Sequence, residues 1–430
     1  MRDISPIAAN NLCTGCGTCA GICPTAAIQM CVDTNMGLYL PKVDKEKCAD
    51  CGICVKCCPG HTVDLQKLNS YLFGKQPKDS LLGNYLSSFI GHSNDILVCS
   101  ASSSGGTVTQ LLIFALDKGL IDGALVTRMK KNSPLEPEPF IARSKEEIIS
   151  ASKSKYCPVP LNMSLKEIIN GKGVYAVVGL PCHIHGIRLA EATISGLKEK
   201  IVLHIGLMCS HTVNFCGTEF LLRKFGLIPK DVNLIAYRGH GWPGSMSIHL
   251  KNGRSLQRQF IRDWNAYWNV FSCFFFTPLR CMMCPDQSNE FSDISVGDAW
   301  LSELKHCKQG ESIIIARTKE SDALLRLMQS STAISLREIS PHKIHESQAF
   351  SLDFKKNRIA KRLNFLKKYG ITIPMVAPIA KSRVSSYVSA VLAYFSLYIS
   401  TNKHLVHIMH YVPLPLFRLY FSLFKLSSLL

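Results

Sequence analysis

Cys13, Cys16, Cys19 and Cys23 are followed by Pro24, and Cys48, Cys51, Cys54 and Cys58 repeat the same C-x2-C-x2-C-x3-C-P spacing before Pro59. Closely spaced cysteines on a tight loop can aim three thiolates at one inorganic core, with a fourth arriving from elsewhere; this is how a [4Fe-4S] cubane is held. Gly15, Gly17 and Gly52 allow the backbone to wrap closely around such a core. Zinc binding and chance clustering are the competing explanations, and two tandem runs with the trailing proline argue against both.

The 19 cysteines crowd into the first 60 residues and are scattered afterwards, unlike the even spread of a secreted disulfide scaffold. The N-terminal MRDISPIAANNLCTG has no apolar stretch of signal-peptide length, so a cytoplasmic, reducing setting is expected, where thiolates stay available to a metal. In the two-cluster ferredoxin pattern the fourth cysteine of each run crosses to the other cluster. Cys13, Cys16, Cys19 and Cys58 are therefore expected around one cluster, and Cys48, Cys51, Cys54 and Cys23 around a second. Cys31 and Cys57 fall outside the spacing.

Further along, Cys182 follows the strand-like VVGLP, Cys209 closes HIGLM, and Cys281 and Cys284 form a C-x-x-C. Ligands of open α/β sheets bind outside the carboxyl ends of strands, so these four suit a third cluster. Small buried hydrophobes, zinc or a redox disulfide suit the same residues. In CSASSSGGTVTQLL, Ser103, Ser104, Gly105, Gly106 and Thr107 precede a predicted helix whose free N–H groups attract a phosphate; an ordinary helix cap explains them too. Lys153 and Lys155 suit a pyrophosphate or a solvated basic loop. YRGHGWPG and FSDISVGDAW place glycines beside aromatic residues, as a loop over a planar ring or a turn that buries a Trp would. His183, His185, His204, His211 and His240 are read as satisfied core or surface histidines.

Alternating elements must position these groups. Helical periodicity over 108–120 is followed by the strand-like DGALVTRM, then by GVYAVVGL, a helix opening at Pro181, KIVLHIGL, SIIIART and the helical ESDALLRLMQ. That order predicts an α/β core with a partly parallel sheet. The chain has 430 residues, of which 47% are hydrophobic, enough for two or three domains. Of the net charge of +18, twelve units come from Lys and Arg between Lys355 and Lys425, and no acidic residue follows Asp353. In 384–402 serines recur at helical spacing opposite apolar residues, and Pro413 and Pro415 interrupt the last stretch. An interfacial anchor on an anionic cytoplasmic leaflet is expected, ahead of a short transmembrane helix or a segment buried on a partner protein. Nucleic acid is not expected, because the charges flank apolar helices instead of alternating with stacking aromatics.

The paired runs, SSSGG, KSKY, GLPCHIHGIR, HIGLMCSHT, YRGHGWPG and LRCMMCPDQSNEFSDISVGDAW, in that order over residues 10–355, resemble the beta subunits of the coenzyme F420 hydrogenase and dehydrogenase family, in the form with an N-terminal two-cluster ferredoxin domain. The resemblance implies FAD beside a [4Fe-4S] cluster ligated by Cys182, Cys209, Cys281 and Cys284, with SSSGG and Lys155 at the flavin. It implies an α+β two-cluster domain over 1–66, a linker over 67–97, an α/β flavin and iron-sulfur domain over 98–355 and a helical basic and apolar tail over 356–430. The implied activity is electron exchange between the clusters and a flavin that reduces or oxidises an organic substrate or a deazaflavin, with a donor or acceptor protein as partner. The alternative is a non-catalytic subunit that wires a partner enzyme to a donor. Members of this bacterial branch often accompany cell-surface polysaccharide biosynthesis. His183 and His185 stand where many relatives have other polar or small residues, so the deazaflavin is not assumed as substrate.

Overall fold

The computed structural model describes residues 3–376 and 385–429. Lys381 and Arg383 of the basic run lie outside them. The cysteine-rich head contains an antiparallel hairpin, β1 (Ile28–Asp33) and β2 (Leu38–Val43), with Ile28 opposite Val43. Each cysteine run enters a single helical turn, Thr18–Gly21 or Ile53–Lys56, through a glycine in the left-handed region, Gly17 at φ 82° and Gly52 at φ 69°. A side chain there would be strained, so glycine is what lets each thiol loop close. β3 (Thr62–Val63) ends the head.

The stretch 67–97, expected as a linker, is ordered structure. Its start belongs to a helix, Leu65–Phe73, capped by Asp64, which accepts from the Lys67 N–H at 3.0 Å. Its end holds β4 (Ser87–Ser93), a strand inside the main sheet. The next strands are β5 (Gly123–Met129), β6 (Pro137–Ala142), β7 (Tyr175–Gly179) and β8 (Ile201–Leu207). A separate antiparallel sheet comprises β9 (Val232–Gly239), β10 (Ser245–Leu250) and β11 (Ser255–Gln259), in the order β11-β10-β9. The main sheet is completed by β12 (Ile294–Asp298), β13 (Ser312–Ala316) and β14 (Ile334–Glu338).

The eight-stranded order is β14-β4-β13-β12-β8-β7-β5-β6. β5, β7, β8 and β12 run parallel and the flanking pairs antiparallel, the mixed sheet that the sequence predicts. Parallel strands are covered on both faces, and their apolar runs reflect it. The helices Thr107–Asp117 and Lys319–Ser330 bury Leu111 and Leu325 with Ala124, Val126 and Ile314 on one face. The helix Pro181–Glu191 buries Ile184 and Ile187 with Leu125 and Val177 on the other, where Ile22 and Cys57 of the head join them.

The head is locked to this second face at close range. A Cβ on Gly186 would lie 2.1 Å from Thr18 Oγ1, so only glycine admits the contact. Asn162 Nδ2 donates to Thr18 Oγ1 at 2.8 Å and to the His183 carbonyl at 2.9 Å. β15 (Met375–Val376) returns to pair with β3.

The tail also departs from its expected boundary at 356. Lys355, Arg358 and Arg362 are buried, and Lys356 is paired with buried Glu290. The helix Ile359–Lys368 is part of the body, against Ile4, Ile7 and Met283. Beyond it the helices Ser385–Thr401, Lys403–Met409 and Leu414–Leu429 fold back on the protein. Among the described residues no helix is long and apolar enough to cross a membrane.

Candidate metal centres

Two cavities are lined by thiols. Cys13, Cys16, Cys19 and Cys58 converge on the first, a cavity of about 300 Å³ walled by Ile4, Ile7 and Met30 and partly open to solvent. These are the four residues that the crossed ferredoxin pattern groups together. Burial, and then the neighbouring thiols Cys16, Cys13 and Cys58, push Cys19 well above the ordinary value of 9.0; burial and Cys16 take Cys58 up to about 12. Thiols crowded in this way stay protonated unless a cationic core draws the protons off, which is the chemistry a metal cluster supplies.

The other group is more open. Burial, then the thiols of Cys51 and Cys23 together with the Asp3 carboxylate, raise Cys54 to about 11, so three of its expected members are neighbours. Cys51 is exposed, and Cys48 donates to Asp50 Oδ1 at 3.7 Å.

The second cavity lies at the carboxyl ends of β7 and β8, where the sequence placed it. Cys182 sits in the first turn of Pro181–Glu191, Cys209 two residues beyond β8, and Cys281 and Cys284 on and after the turn Leu279–Met283. All four line a cavity of about 680 Å³, part of it open to solvent. Burial, then Cys16, Cys281, Cys209 and Cys284, hold Cys182 well above 9.0. Thr14 and Pro59 line both cavities, so one thin wall separates them.

Zinc binds thiolates at about 2.3 Å around a single point; among the described residues no three His, Cys, Asp or Glu side chains are gathered that closely. The sulfurs surround a space, as an extended core requires. All nineteen cysteines, Cys281 and Cys284 among them, stand as free thiols.

A shell of buried charge around the second cavity has no counterpart in the sequence reading. Lys355 lines the cavity and donates to the Asp286 carbonyl at 2.9 Å; although burial opposes it, Cys284, Cys209 and Cys281 hold its ammonium charged. Asp286 accepts from His185 at 2.8 Å and from the Asn289 N–H at 2.8 Å. Burial works against that carboxylate, but the His185 bond together with the Lys356 and Lys355 charges outweighs it and holds Asp286 below its ordinary value. Arg280, also on the wall, donates to the Pro59 and Gly60 carbonyls beside Cys58 and fastens one cavity to the other. His183 is satisfied by the Val159 carbonyl at 2.9 Å, in keeping with a core role.

The expected phosphate loop has a different texture. Gly106, at φ 73°, leads into the helix Thr107–Asp117 with no side-chain cap. Ser103 Oγ accepts from the Ser154 N–H at 2.9 Å, Ser104 Oγ donates to the Glu311 carbonyl at 2.9 Å, and Thr107 reaches the Gly91 carbonyl at 3.4 Å. Gly105 packs so closely that a Cβ would lie 2.9 Å from the Gly91 carbonyl oxygen. Lys155 is spoken for: its ammonium donates to the Ala151, Ser152 and Lys153 carbonyls, and burial lowers it to about 7. It shapes the loop, while Lys153 reaches over Gly239. Trp242 is buried against Trp300 at 4.4 Å and Arg238 at 4.9 Å, with its indole N–H unpartnered; Gly310 abuts both Trp242 and Ser104. The SSSGG, KSK, HGWPG and GDAW segments thus meet in one place, around the buried Trp242.

Comparison with known proteins gives the family. Residues 88–166 and 173–342 match the family models for the N-terminal and C-terminal parts of the coenzyme F420 hydrogenase/dehydrogenase beta subunit, together more than half of the chain, and residues 10–29 match a "4Fe-4S binding domain". The beta subunit of coenzyme F420 hydrogenase from Methanothermobacter thermautotrophicus is 27% identical over 252 residues, 57% of this chain and 82% of the relative. One F(420)H(2) dehydrogenase subunit, from Methanosarcina mazei, is 27% identical over 332 residues, 72% of this chain and 83% of the relative. A chain of the F420-reducing [NiFe] hydrogenase complex from Methanosarcina barkeri has the same fold, with a TM-score of 0.54 at 20% identity, over 70% of this chain and 98% of that one. The chain belongs to the family of coenzyme F420 hydrogenase/dehydrogenase beta subunits.

Proposed function

We propose that this protein is an iron-sulfur flavoprotein oxidoreductase that passes electrons between a ferredoxin-type head and an organic acceptor or donor. The observation that carries this reading is the shared wall of Thr14 and Pro59 between the two thiol-lined cavities. Cys13, Cys16, Cys19 and Cys58 would hold one cluster, Cys48, Cys51, Cys54 and Cys23 a second, and Cys182, Cys209, Cys281 and Cys284 a third. Clusters of this type carry single electrons, and FAD supplies exchange between electron pairs and single electrons.

The chain's own residues supply position and field. Arg280 ties the Cys58 loop to Cys281, so the spacing of the two cavities does not depend on a flexible joint. Lys355 offsets the negative charge that four thiolates bring into a buried site. The first turn of Thr107–Asp117, which has no side-chain cap, suits a flavin pyrophosphate, and Lys153 is a cation on the adjoining KSK loop. Trp242 and Trp300 give that region a flat apolar wall.

A second reading is favoured by the relatives, several of which are named as subunits: this chain would connect a partner enzyme to a donor without its own substrate. Anaerobic purification with iron, sulfide and flavin measured per chain tests the main reading. About twelve irons, from three four-iron clusters, and one flavin are expected. About eight irons and no flavin would remove the third cluster and the reductase together. Turnover of an organic acceptor by the chain alone separates the reductase from the wiring subunit.

A further inference from the structure

We infer that the C-terminal helical hairpin docks the protein, flat, on an anionic lipid surface. Helices on a water-soluble domain turn their apolar stripe inward and their polar side chains out. The helix Ser385–Thr401 does the opposite: it packs on its neighbours through small residues, with Ser389, Ala393, Ser396 and Ser400 all buried. The helix Leu414–Leu429, which packs against it, buries Phe417 and Phe424 and carries a second apolar stripe on its outside. The buried hydroxyls are satisfied within the helix: Ser396 donates to the Leu392 carbonyl and Ser400 to the Leu397 carbonyl, each at 3.1 Å.

The outer faces are apolar. Val391, Phe395 and Tyr398 follow one another at helical spacing on the first helix, and Leu416, Leu419 and Leu423 on the second, each between 39% and 53% exposed. Two adjacent stripes of this kind form a patch that a protein surrounded by water rarely carries.

The charge around the patch selects the occupant. No acidic residue occurs after Asp353. Lys403 opens the short helix between the two stripes. Arg418 lies over the exposed ring of Trp264, 4.3 Å from its centroid, and Lys425 over Phe421 at 5.1 Å. Cations whose stems lie along aromatic rings beside an apolar stripe match the boundary between acyl chains and anionic headgroups. The helices of 17 and 16 residues are shorter than the roughly 20 needed to span, and lying in the interface makes no such demand. A protein partner would have to be both acidic and broadly apolar.

The test is flotation of the full, cluster-loaded chain with vesicles of phosphatidylcholine alone or mixed with phosphatidylglycerol. Binding to the mixed vesicles is expected, with at least a tenfold preference over the neutral ones and a loss of most binding when salt rises from about 0.05 to 0.5 M. The double variant Phe395→Glu/Leu423→Glu should cut binding at least tenfold while visible cluster absorption is retained. Ile96→Glu, at an exposed apolar position on the short helix Ile96–Ser100, should leave binding intact. Wild-type protein that stays soluble beside anionic vesicles overturns the inference whatever the variants do. So does equal binding by the double variant, or light scattering that shows a dimer which the double variant dissociates.

Discussion

The two thiol-lined cavities make an instructive pair. The first takes three of its four cysteines from seven consecutive residues and is walled by Ile4, Ile7 and Met30. The second gathers its four from separate segments of the sheet domain, and to a wall of prolines, Val63, Val159 and Leu180 it adds Lys355, Arg280 and His185, with Asp286 behind. A local site owes its geometry to loop conformation, and a dispersed one to the whole sheet. The second should therefore respond to damage far from its sulfurs, and the first should not.

The largest break should come from Arg188. Buried on the helix Pro181–Glu191, it donates to Glu191 at 3.0 Å, to Asp293 at 2.7 Å and to the Phe291 carbonyl at 2.9 Å. That ties the helix carrying Cys182 to the loop leading into β12. Arg188→Met leaves the buried Glu191 and the Asp293 carboxylate with His204 as their one remaining positive partner in this network, a loss of about 3–5 kcal/mol. Chemical denaturation reads the loss, and iron should fall from about twelve to about eight per chain as the dispersed site alone empties. Loss of all the iron would mean that the head depends on the sheet, and the contrast between the cavities would go.

Gly186→Ala probes how tightly the head needs its dock. The added methyl would meet Thr18 Oγ1 at 2.1 Å and Asn162 Nδ2 at 3.2 Å. Overpacking of this kind costs about 1–3 kcal/mol, reduced by the better helix propensity of alanine, about 1 kcal/mol. Faster proteolytic release of the head is expected, with partial recovery on adding Thr18→Ala, which removes the opposing hydroxyl. Unchanged protease resistance would show that the contact relaxes at no cost.

Lys355→Met sharpens the comparison electrostatically. A buried ammonium beside four thiolates favours the reduced, more negative state of whatever they hold. Its removal should lower the potential of the dispersed site by roughly 60 mV, which for one electron is a tenfold change in the equilibrium. A redox titration followed by paramagnetic resonance separates the sites, and the first cavity's signal should stay where it was. A shift shared equally by both would assign Lys355 no local role.

Legibility in the sequence follows the same division. The head is plain because spacing within one loop is spacing in space. The strands Tyr175–Gly179 and Ile201–Leu207 are equally plain, their apolar runs reporting burial on both faces. β4 is hidden within the stretch expected as a linker, because SSFIGHS looks like a loop. Its serines are satisfied by partners far along the chain: Ser87 by Asp322, Ser88 by the Ile339 carbonyl at 2.7 Å and Ser93 by Gln110 at 3.0 Å. Lys355, Lys356, Arg358 and Arg362 read as part of a basic tail for the same reason. What neutralises or accepts from them lies mostly at 281–290, as with the Met282 carbonyl that Arg362 donates to at 2.6 Å. Burial of a charge is set by such partners, which local sequence does not display.

The smallest expected effect is also the most specific. His204, on β8, donates one ring nitrogen to Asp293 at 2.9 Å and the other to Glu191 at 2.6 Å, closing a ring with Arg188 that is neutral only when the imidazole is charged. Burial and the Arg188 charge work against the imidazolium, but Glu191 and Asp293 prevail and hold its pKa above the ordinary 6.5. Asp293 and Glu191 are held below 3.8 and 4.5, burial opposing and Arg188 and His204 outweighing it. The histidine's contribution is complete below 6.5 and is lost as pH rises through its raised folded value; the carboxylates' contribution is present above their unfolded values and is lost as pH falls through their lowered ones. Between about pH 4.5 and 6.5 all four charges are in place. The stability gap between wild type and His204→Gln should be widest there and narrow above it, by about 1.4 kcal/mol for each unit that the folded value exceeds the unfolded one. A gap that stays constant from about pH 5 to 9 would mean that His204 is neutral throughout. The two carboxylates would then face Arg188 alone, and the strand that presents Cys209 would owe nothing to the imidazole's charge.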